Sequence, residues 1–440
     1  MNGSKFLITG GQPLNGEIKL AGAKNAATKM MIASLLTDQK CVLENFPHIG
    51  DTEIVADLCQ QVGAKIEYGD SSIKIHTPVI TNHRVQSLSR KNRIPILALG
   101  PLLARVGEAE VPVLGGDKIG PRPVNLHIEA LTALGAEIKT TATSYQATAK
   151  DGLRGTKIAL NFPSVGATEN VLLSAVLAKG RTIIYNAATE PEVIDLIKML
   201  QKMGAIIELG ANRTIYIDGV EKLRGVTHRI LPDRNEAVSF ACLAVATDGR
   251  ILVREARQDD LITFLNALRK IGGDYDVVKE GIVFYRAKNL EGVEIETDCH
   301  PGFMTDWQQP FAVLLTQAKG VSILHETIYE DRLGYINDLN FMGASIKVLT
   351  KCLGDLNCRF NSQGHYHSAV IHGPTPLKAI NTSVRDLRSG MLNITSALIA
   401  EGESEISGIE EIDRGYENID ERLRGLGAQI KRVCSQEKLV

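Results

Sequence analysis

Glu192-Val193-Ile194-Asp195-Leu196-Ile197-Lys198-Met199-Leu200-Gln201-Lys202-Met203-Gly204-Ala205-Ile206-Ile207-Glu208 carries the reading that decides the fold. Up to Met203 its apolar side chains recur every three or four residues, the pattern of a helix with one buried face. Gly204 follows at once, and glycine past a helix end accepts the left-handed backbone that terminates it. Ile206-Ile207-Glu208 then reads as one strand and Thr214-Ile215-Tyr216-Ile217 as the next. The same apolar-Gly-Ala/Gly signal returns at Val62-Gly63-Ala64, Leu134-Gly135-Ala136, Ile271-Gly272-Gly273, Met342-Gly343-Ala344 and Leu426-Gly427-Ala428. Successive first glycines of the six signals lie 72, 69, 68, 71 and 84 residues apart, which marks an internal repeat. The long final interval predicts an insertion between about Thr350 and Ser383.

Upstream of each outer helix an apolar run ends at a second glycine, at Gly107, Gly180, Gly249, Gly320 and Gly402; the first copy has Asp38-Gln39-Lys40 there instead. A β-rich run follows, such as Thr182-Ile183-Ile184-Tyr185. Each copy is therefore helix, strand, helix, strand, strand, with a strand such as Glu17-Ile18-Lys19-Leu20 leading in. The first helix is apolar nearly all round and should be buried, while the second keeps a polar face and should lie outside. Six copies group as three plus three. The expected domains are 22–231, and 1–21 together with 232–440, with the substrate cleft between them.

Composition excludes several function classes. Charged residues make up 23% of the 440, and the net charge is -2, so no basic excess suggests nucleic acid and no polybasic face suggests a membrane surface. The N-terminus has no apolar signal segment, and no stretch is long and apolar enough to span a bilayer. Seven scattered cysteines, Cys352 and Cys358 among them at an unusual zinc spacing, read as reduced, mostly buried thiols of a cytoplasmic protein, with no metal expected. No Gly-Lys-Ser/Thr phosphate loop, no Gly-x-Gly-x-x-Gly after a strand and no Gly-x-Ser-x-Gly elbow is present.

What the chain does carry is charge at the starts of its buried helices: Lys24-Asn25, Arg93, Asp233-Arg234, Thr305-Asp306 and Asp386-Leu387-Arg388, with Ser164-Val165-Gly166 at the remaining one. Ser164, Asp233 and Asp306 are ordinary N-cap types. The cations are not, because they oppose the helix dipole; beside unpaired backbone N–H groups they make anion sites. A loop too rich in glycine and proline for a helix or central strand, Gly115-Gly116-Asp117-Lys118-Ile119-Gly120-Pro121-Arg122-Pro123, adds one carboxylate and two cations. His127 and His300 are further acid–base candidates, although a lone histidine is more often a structural hydrogen-bonder.

In combination, Ala21 through Ala27, Leu114 through His127, Ser164 through Asn170, Leu231-Pro232-Asp233-Arg234, Asp386-Leu387-Arg388 and Asp413-Arg414-Gly415-Tyr416-Glu417 resemble the UDP-N-acetylglucosamine 1-carboxyvinyltransferases, from near residue 5 to about 433. That resemblance implies an α/β fold, the two-domain inverse α/β prism of the enolpyruvyl transferases, with six repeated βαβαββ-like units, three per domain. It implies transfer of the enolpyruvyl group of phosphoenolpyruvate to the 3′-hydroxyl of UDP-N-acetylglucosamine, opening peptidoglycan precursor synthesis, with no cofactor. By the same similarity Asp117 stands where the loop's proton donor stands, and Asp306 where the base or orienter of the sugar hydroxyl stands. Lys24, Asn25, Arg122, Arg388 and Arg414 take the phosphoenolpyruvate positions, Lys24 and Arg414 with catalytic roles. Asn25, Arg93, Arg122, Pro123, Val124, Asn125, Leu126, Phe162, Pro163, Ser164, Val165, Asp306 and Ile328 take those around the UDP-sugar, and Arg234 and Glu330 line the same cleft.

The chain departs from the family's commonest pattern in having Asp117 where cysteine is usual, and it has Phe162 where some members have lysine, Asn125 where many have aspartate and Leu97 where some have tryptophan. The first of these predicts resistance to fosfomycin, whose epoxide is opened by attack of the cysteine sulfur. The rival readings are a silent UDP-sugar-binding paralogue, the shikimate-pathway enolpyruvyl transferase and a repeat scaffold.

Overall fold

All six helix-closing glycines, Gly63, Gly135, Gly204, Gly272, Gly343 and Gly427, take positive φ between 94° and 117°, the backbone region that a Cβ disfavours. Each stands where an outer helix gives way to a strand, so the repeat seen in the sequence is a repeat of backbone geometry. The structure is a computed structural model that describes residues 3–86, 88, 93–113, 115, 124–356 and 358–434. The described chain divides into two compact units, one of residues 22–115 and 124–231, the other of 3–21 and 232–434.

In the 22–231 unit the inner helices are Lys24–Ala33, Leu99–Val106 and Val165–Ala175, and the outer ones are Gly50–Gln61, Asn125–Ala133 and Pro191–Met203. Three small sheets accompany the inner helices, two of them mixed and one, of Glu108–Pro112, Ser144–Thr148 and Glu137–Thr140, antiparallel. In the sheet of the third copy, Lys157–Ala159 runs parallel to Arg181–Tyr185, which pairs antiparallel with Ile215–Asp218, and Ile206–Leu209 closes the edge. The first sheet takes its leading strand, Thr227–Arg229, from the far end of the unit, parallel to Cys41–Glu44.

The other unit repeats the plan. Its inner helices are Arg234–Ala246, Gln308–Gln317 and Leu387–Ile399, and every residue of the first is buried. Side chains such as Phe240, Phe311 and Leu392 are wholly enclosed, each contributing roughly 1.5–3 kcal/mol by leaving water. The N-terminal segment supplies two strands. Asn15–Lys19 leads the fourth copy, parallel to Arg250–Arg254, and Ser4–Thr9 lies between Glu403–Ser407 and Gln429–Cys434 of the sixth. Arg422 fastens this segment: its two Nη groups donate to the Glu236 carboxylate at 2.7 and 2.8 Å, and Nη2 also donates to the Lys19 carbonyl. The insertion falls within one hairpin, as residues 350–367 between Ser345–Leu349 and Ser368–Gly373.

All seven cysteines are free, but only Cys41, Cys59 and Cys242 are buried; Cys299, Cys352 and Cys358 are partly exposed and Cys434 exposed, which corrects the expectation of mostly buried thiols. Among the described residues no helix is long and apolar enough to cross a membrane.

Candidate active site

The three inner helices of the 232–434 unit start side by side. Trp307 Nε1 donates to Asn235 Oδ1 at 3.0 Å, which ties the start of the second to that of the first, and Arg388 Nε donates to Asp306 Oδ2 at 3.2 Å, which ties the third to the second. Asp233 caps the first helix through the Asn235 and Glu236 N–H groups, and Asp386 caps the third through those of Arg388 and Ser389. Asp306 is not at the N-cap position. It sits in the short 3-10 turn Thr305–Trp307, whose N-cap is Met304, and its carboxylate turns instead to two buried arginines. Arg332 Nη2 donates to Oδ1 at 2.6 Å, opposite the contact from Arg388.

These charges hold one another in place. Burial disfavours the charge on Arg388, but Asp306, Tyr416 and Asp233 outweigh it and its pKa is raised. Arg332 behaves alike: burial opposes its charge, and Asp306, Asp386 and Glu326 together raise its pKa. With its amide turned so that oxygen faces inward, Gln309 accepts from Arg332 Nε and Nη2 as well. Arg388 Nη1 donates to Tyr416 Oη at 3.2 Å, and that hydroxyl lies 2.9 Å from Ser239 Oγ. Beneath them Glu326, wholly buried, accepts from Thr297, Thr305 and Gln308 on one oxygen and from the Ile328 and Tyr329 N–H groups on the other. It thereby fixes both the turn bearing Asp306 and the segment bearing Ile328. Arg414, 8% exposed, donates to Glu411 at 2.6 Å. Arg234 lies buried with its guanidinium 5.6 Å from the Trp307 ring centroid and an Nη1 contact of 3.4 Å to His300 Nδ1.

In the 22–231 unit Lys24 opens its inner helix without a side-chain cap and pairs with Asp51 at 2.8 Å, both largely buried. Ser164 caps Val165–Ala175 by accepting from the Ala167 N–H. Phe162, Pro163, Ser164 and Val165 are half-buried, as are Arg93, Val124 and Leu126, while Asn125 is exposed. His127 is buried and hydrogen-bonded. It is 7% exposed, Asn170 Nδ2 donates to its Nδ1 at 3.2 Å, and burial first and the charge of Arg93 second push its pKa down to about 3.

The structure thus brings Asp306 and Arg388 into contact and adds Arg332, Tyr416, Ser239 and Glu326 around them. Sequence reading missed Arg332, which sits in a run of charges, Glu330-Asp331-Arg332, that reads as exposed loop, and it missed Asp51 as the partner of Lys24. Ile328 is buried and its carbonyl accepts from Arg359. Asp117, Arg122 and Pro123 lie outside the described residues. Of the metal-ligating side chains among the described residues, His325, Cys352, Cys358 and His367 converge, in segments other than those of Asp306 and Arg388.

Comparison with known proteins agrees with this architecture. Residues 8–423 match the family model described as EPSP synthase (3-phosphoshikimate 1-carboxyvinyltransferase). The enolpyruvyl transferase NikO from Streptomyces tendae superposes with a TM-score of 0.84 at 21% identity, covering 99% of this chain and 100% of that one. An EPSP synthase from Acinetobacter baumannii gives 0.69 at 18% identity, covering 98% and 100%. The fold is therefore that of the enolpyruvyl transferases, the two-domain inverse α/β prism of six repeated units.

Within that class the likeness is far stronger in one direction. The UDP-N-acetylglucosamine 1-carboxyvinyltransferase of Protochlamydia amoebophila (strain UWE25) is 48% identical over 442 residues, covering 98% of this chain and 95% of its own. That of Chlamydia pneumoniae is 50% identical over 424 residues, covering 95% and 93%. The chain belongs to the UDP-N-acetylglucosamine 1-carboxyvinyltransferase family.

Proposed function

We infer that the protein transfers the enolpyruvyl group of phosphoenolpyruvate to the 3′-hydroxyl of UDP-N-acetylglucosamine and releases phosphate, the step that opens peptidoglycan precursor synthesis. The observation that carries the reading is the Asp306 carboxylate, held by Arg332 and Arg388 where three inner helices begin and with its side chain 22% exposed. A carboxylate fixed by two charge-assisted bonds is an oriented acceptor. At the sugar 3′-hydroxyl it would align the O–H and accept its proton as the oxygen bonds to C2 of phosphoenolpyruvate. Asp117 would deliver the balancing proton to C3. Elimination then takes a proton back from C3 and expels phosphate from C2.

The cations divide the remaining work. Arg388, buried and kept charged, faces the anionic donor together with Lys24, Arg122 and Arg414, and Asn25 lies beside Lys24. Arg93, Pro123 through Leu126, Phe162 through Val165 and Ile328 serve the UDP-sugar. Arg332 and Glu326 position Asp306 without touching substrate. The scheme is acid–base chemistry on two soluble anionic substrates, which suits a cytoplasmic enzyme. The shikimate 3-phosphate reaction fits less well, since the EPSP synthase likeness is 18% identical while the UDP-sugar relatives reach 50%.

The test is phosphate release from phosphoenolpyruvate with no acceptor, with UDP-N-acetylglucosamine and with shikimate 3-phosphate. Release that depends on UDP-N-acetylglucosamine is expected. Release with shikimate 3-phosphate alone, or tight binding of UDP-N-acetylglucosamine with no release, would overturn the reading.

A further inference from the structure

Strands Gly320–His325 and Ser368–Gly373 pair antiparallel with His325 opposite Ser368. His325 and His367 therefore lie together, with ring centroids 5.1 Å apart, and they are 1% and 0% exposed. The inserted segment 350–367 has no helix or strand among its described residues, an unusual length of irregular chain in a compact unit. It folds Cys352 and Cys358 back onto the two rings. One donor atom from each of the four side chains lies within 4.8 Å of the other three, and Cys352 Sγ is 3.2 Å from His367 Nε2.

Hydrogen bonds behind the rings decide which nitrogen faces the cluster. Ser368 Oγ donates to the Lys351 carbonyl at 2.7 Å, so it accepts from His325 Nδ1–H at 2.8 Å. His367 Nδ1–H donates to the His365 carbonyl at 2.6 Å. As neutral imidazoles both rings thus turn an Nε2 lone pair inward, the tautomer of a metal-bound histidine whose outer N–H is held by a protein acceptor. The Cys352 thiol can satisfy His367 Nε2. His325 Nε2 stays buried without a hydrogen-bond partner; Glu296 Oε1, at 3.9 Å, is beyond hydrogen-bonding range and accepts from the Leu356 N–H instead.

We propose that His325, Cys352, Cys358 and His367 bind one Zn²⁺ in a closed site that staples the 350–367 segment to the sheet. Two thiolates and two imidazoles are a donor set zinc takes up tetrahedrally, and four protein ligands leave no open position, so the role is structural. Zinc–ligand bonds of about 2.0–2.3 Å set the donor atoms roughly 3.3–3.8 Å apart, a spacing within reach of small side-chain shifts here. The staple has a consequence beside it. Arg359 follows Cys358, its guanidinium donates to the Ile328 carbonyl, and it lies 3.7 Å from Glu330. Loss of zinc would loosen that grip on the Ile328 segment, a second step that rests on Ile328 serving the UDP-sugar; the zinc site itself does not.

The full-length protein, purified under a non-chelating reductant, should hold one zinc per chain by atomic emission. The C352S/C358S double variant should hold less than about a tenth of that. Replacement of the metal by Co²⁺ in the unmutated protein should give a near-ultraviolet thiolate charge-transfer band and the intense visible bands of tetrahedral cobalt, a readout that needs no variant to fold. Protein that is metal-free as purified and takes up no added Zn²⁺ would overturn the proposal. So would undiminished zinc in a folded double variant, or a Cys352–Cys358 disulfide under the same reductant. In the double variant the KM for UDP-N-acetylglucosamine should rise severalfold with kcat little changed. An unchanged KM with zinc lost would overturn only the link to Ile328.

Discussion

Replacement of Arg332 by methionine tests the proposed chemistry through a residue that touches no substrate. The side chain is buried and its Nη2 lies 2.6 Å from Asp306 Oδ1. Orphaning one member of a buried pair costs about 3–5 kcal/mol. Asp306 would keep Arg388 at 3.2 Å and its side chain is 22% exposed, so the loss should lie lower, at about 2–3 kcal/mol. In a unit of this size that lowers Tm by roughly 4–10 °C. The larger effect should be on rate. With the Arg332 anchor gone the carboxylate can swing by about 1 Å, and misplacement on that scale costs on the order of 10²-fold. Arg388 remains to bind phosphoenolpyruvate, so its KM should move less than about threefold while kcat falls about 10²-fold. Steady-state phosphate release gives both constants, and a thermal melt shows whether the variant is folded at the assay temperature. Arg332→Lys, which keeps the charge but not the fork, should fall between. A folded Arg332→Met enzyme with kcat within threefold of the parent would refute the idea that an oriented Asp306 is needed for the reaction.

Three further outcomes are expected. Asp117→Asn should abolish turnover, and Asp117→Cys should keep activity and gain rapid, stoichiometric inactivation by fosfomycin; failure of the cysteine variant to react with the epoxide would remove Asp117 from the proton-donor position. Glu169 is buried, and desolvation outweighs Lys29 to push its carboxyl up to about 7 from 4.5, so it favours the protonated form in the folded state. Its contribution to stability is therefore fully present below pH 4.5 and is lost as pH rises toward 7, by at most about 3 kcal/mol. His127 has the opposite sign, being held down at about 3, and stability is lost as pH falls below 6.5. Denaturant titrations should show Glu169→Gln flattening the decline between pH 5 and 7, and an unchanged slope would count against the shift. A Cβ at Gly22 would overlap the Asn45 carbonyl oxygen, so Gly22→Ala should cost about 1–3 kcal/mol and weaken phosphoenolpyruvate binding through Lys24 two residues on; a variant matching the parent in both melt and KM would dismiss that constraint.

Much of the fold was legible because its signals are local. A helix end that needs positive φ selects glycine on the spot, and six such ends announce six copies. The strand leading into the first copy was not legible, since Thr227–Arg229 reaches it from the other end of the unit and periodicity runs only along the chain. The site divides in the same way. A cap is written within three residues, as at Asp233 and Ser164. Asp306 could not be decided between cap and chemistry, because its partners stand 26 and 82 residues away. The cysteines were set aside on the spacing of Cys352 and Cys358, while of the two histidines that complete their cluster one ends a strand and the other stands just before the strand paired with it.

A charge at the start of an inner helix does not by itself mark function, and the three best-defined carboxylates of the 232–434 unit show what does. Glu236 is gripped on both oxygens by Arg422, accepts the Ala21 N–H and is 1% exposed. Glu326 accepts five donors and is wholly buried. Both have their acceptor capacity turned inward to fasten segments, the first the N-terminal strands and the second the Ile328 loop, and no ligand can reach them. Asp306 has its position fixed as firmly, by two guanidinium groups, yet its side chain is 22% exposed. Reaction at a carboxylate needs both conditions together: rigidity, which preorganisation demands, and an open side, which the substrate demands. Among these three only Asp306 meets both, which is why the physical case for chemistry in this unit centres on it rather than on the more deeply buried charges around it.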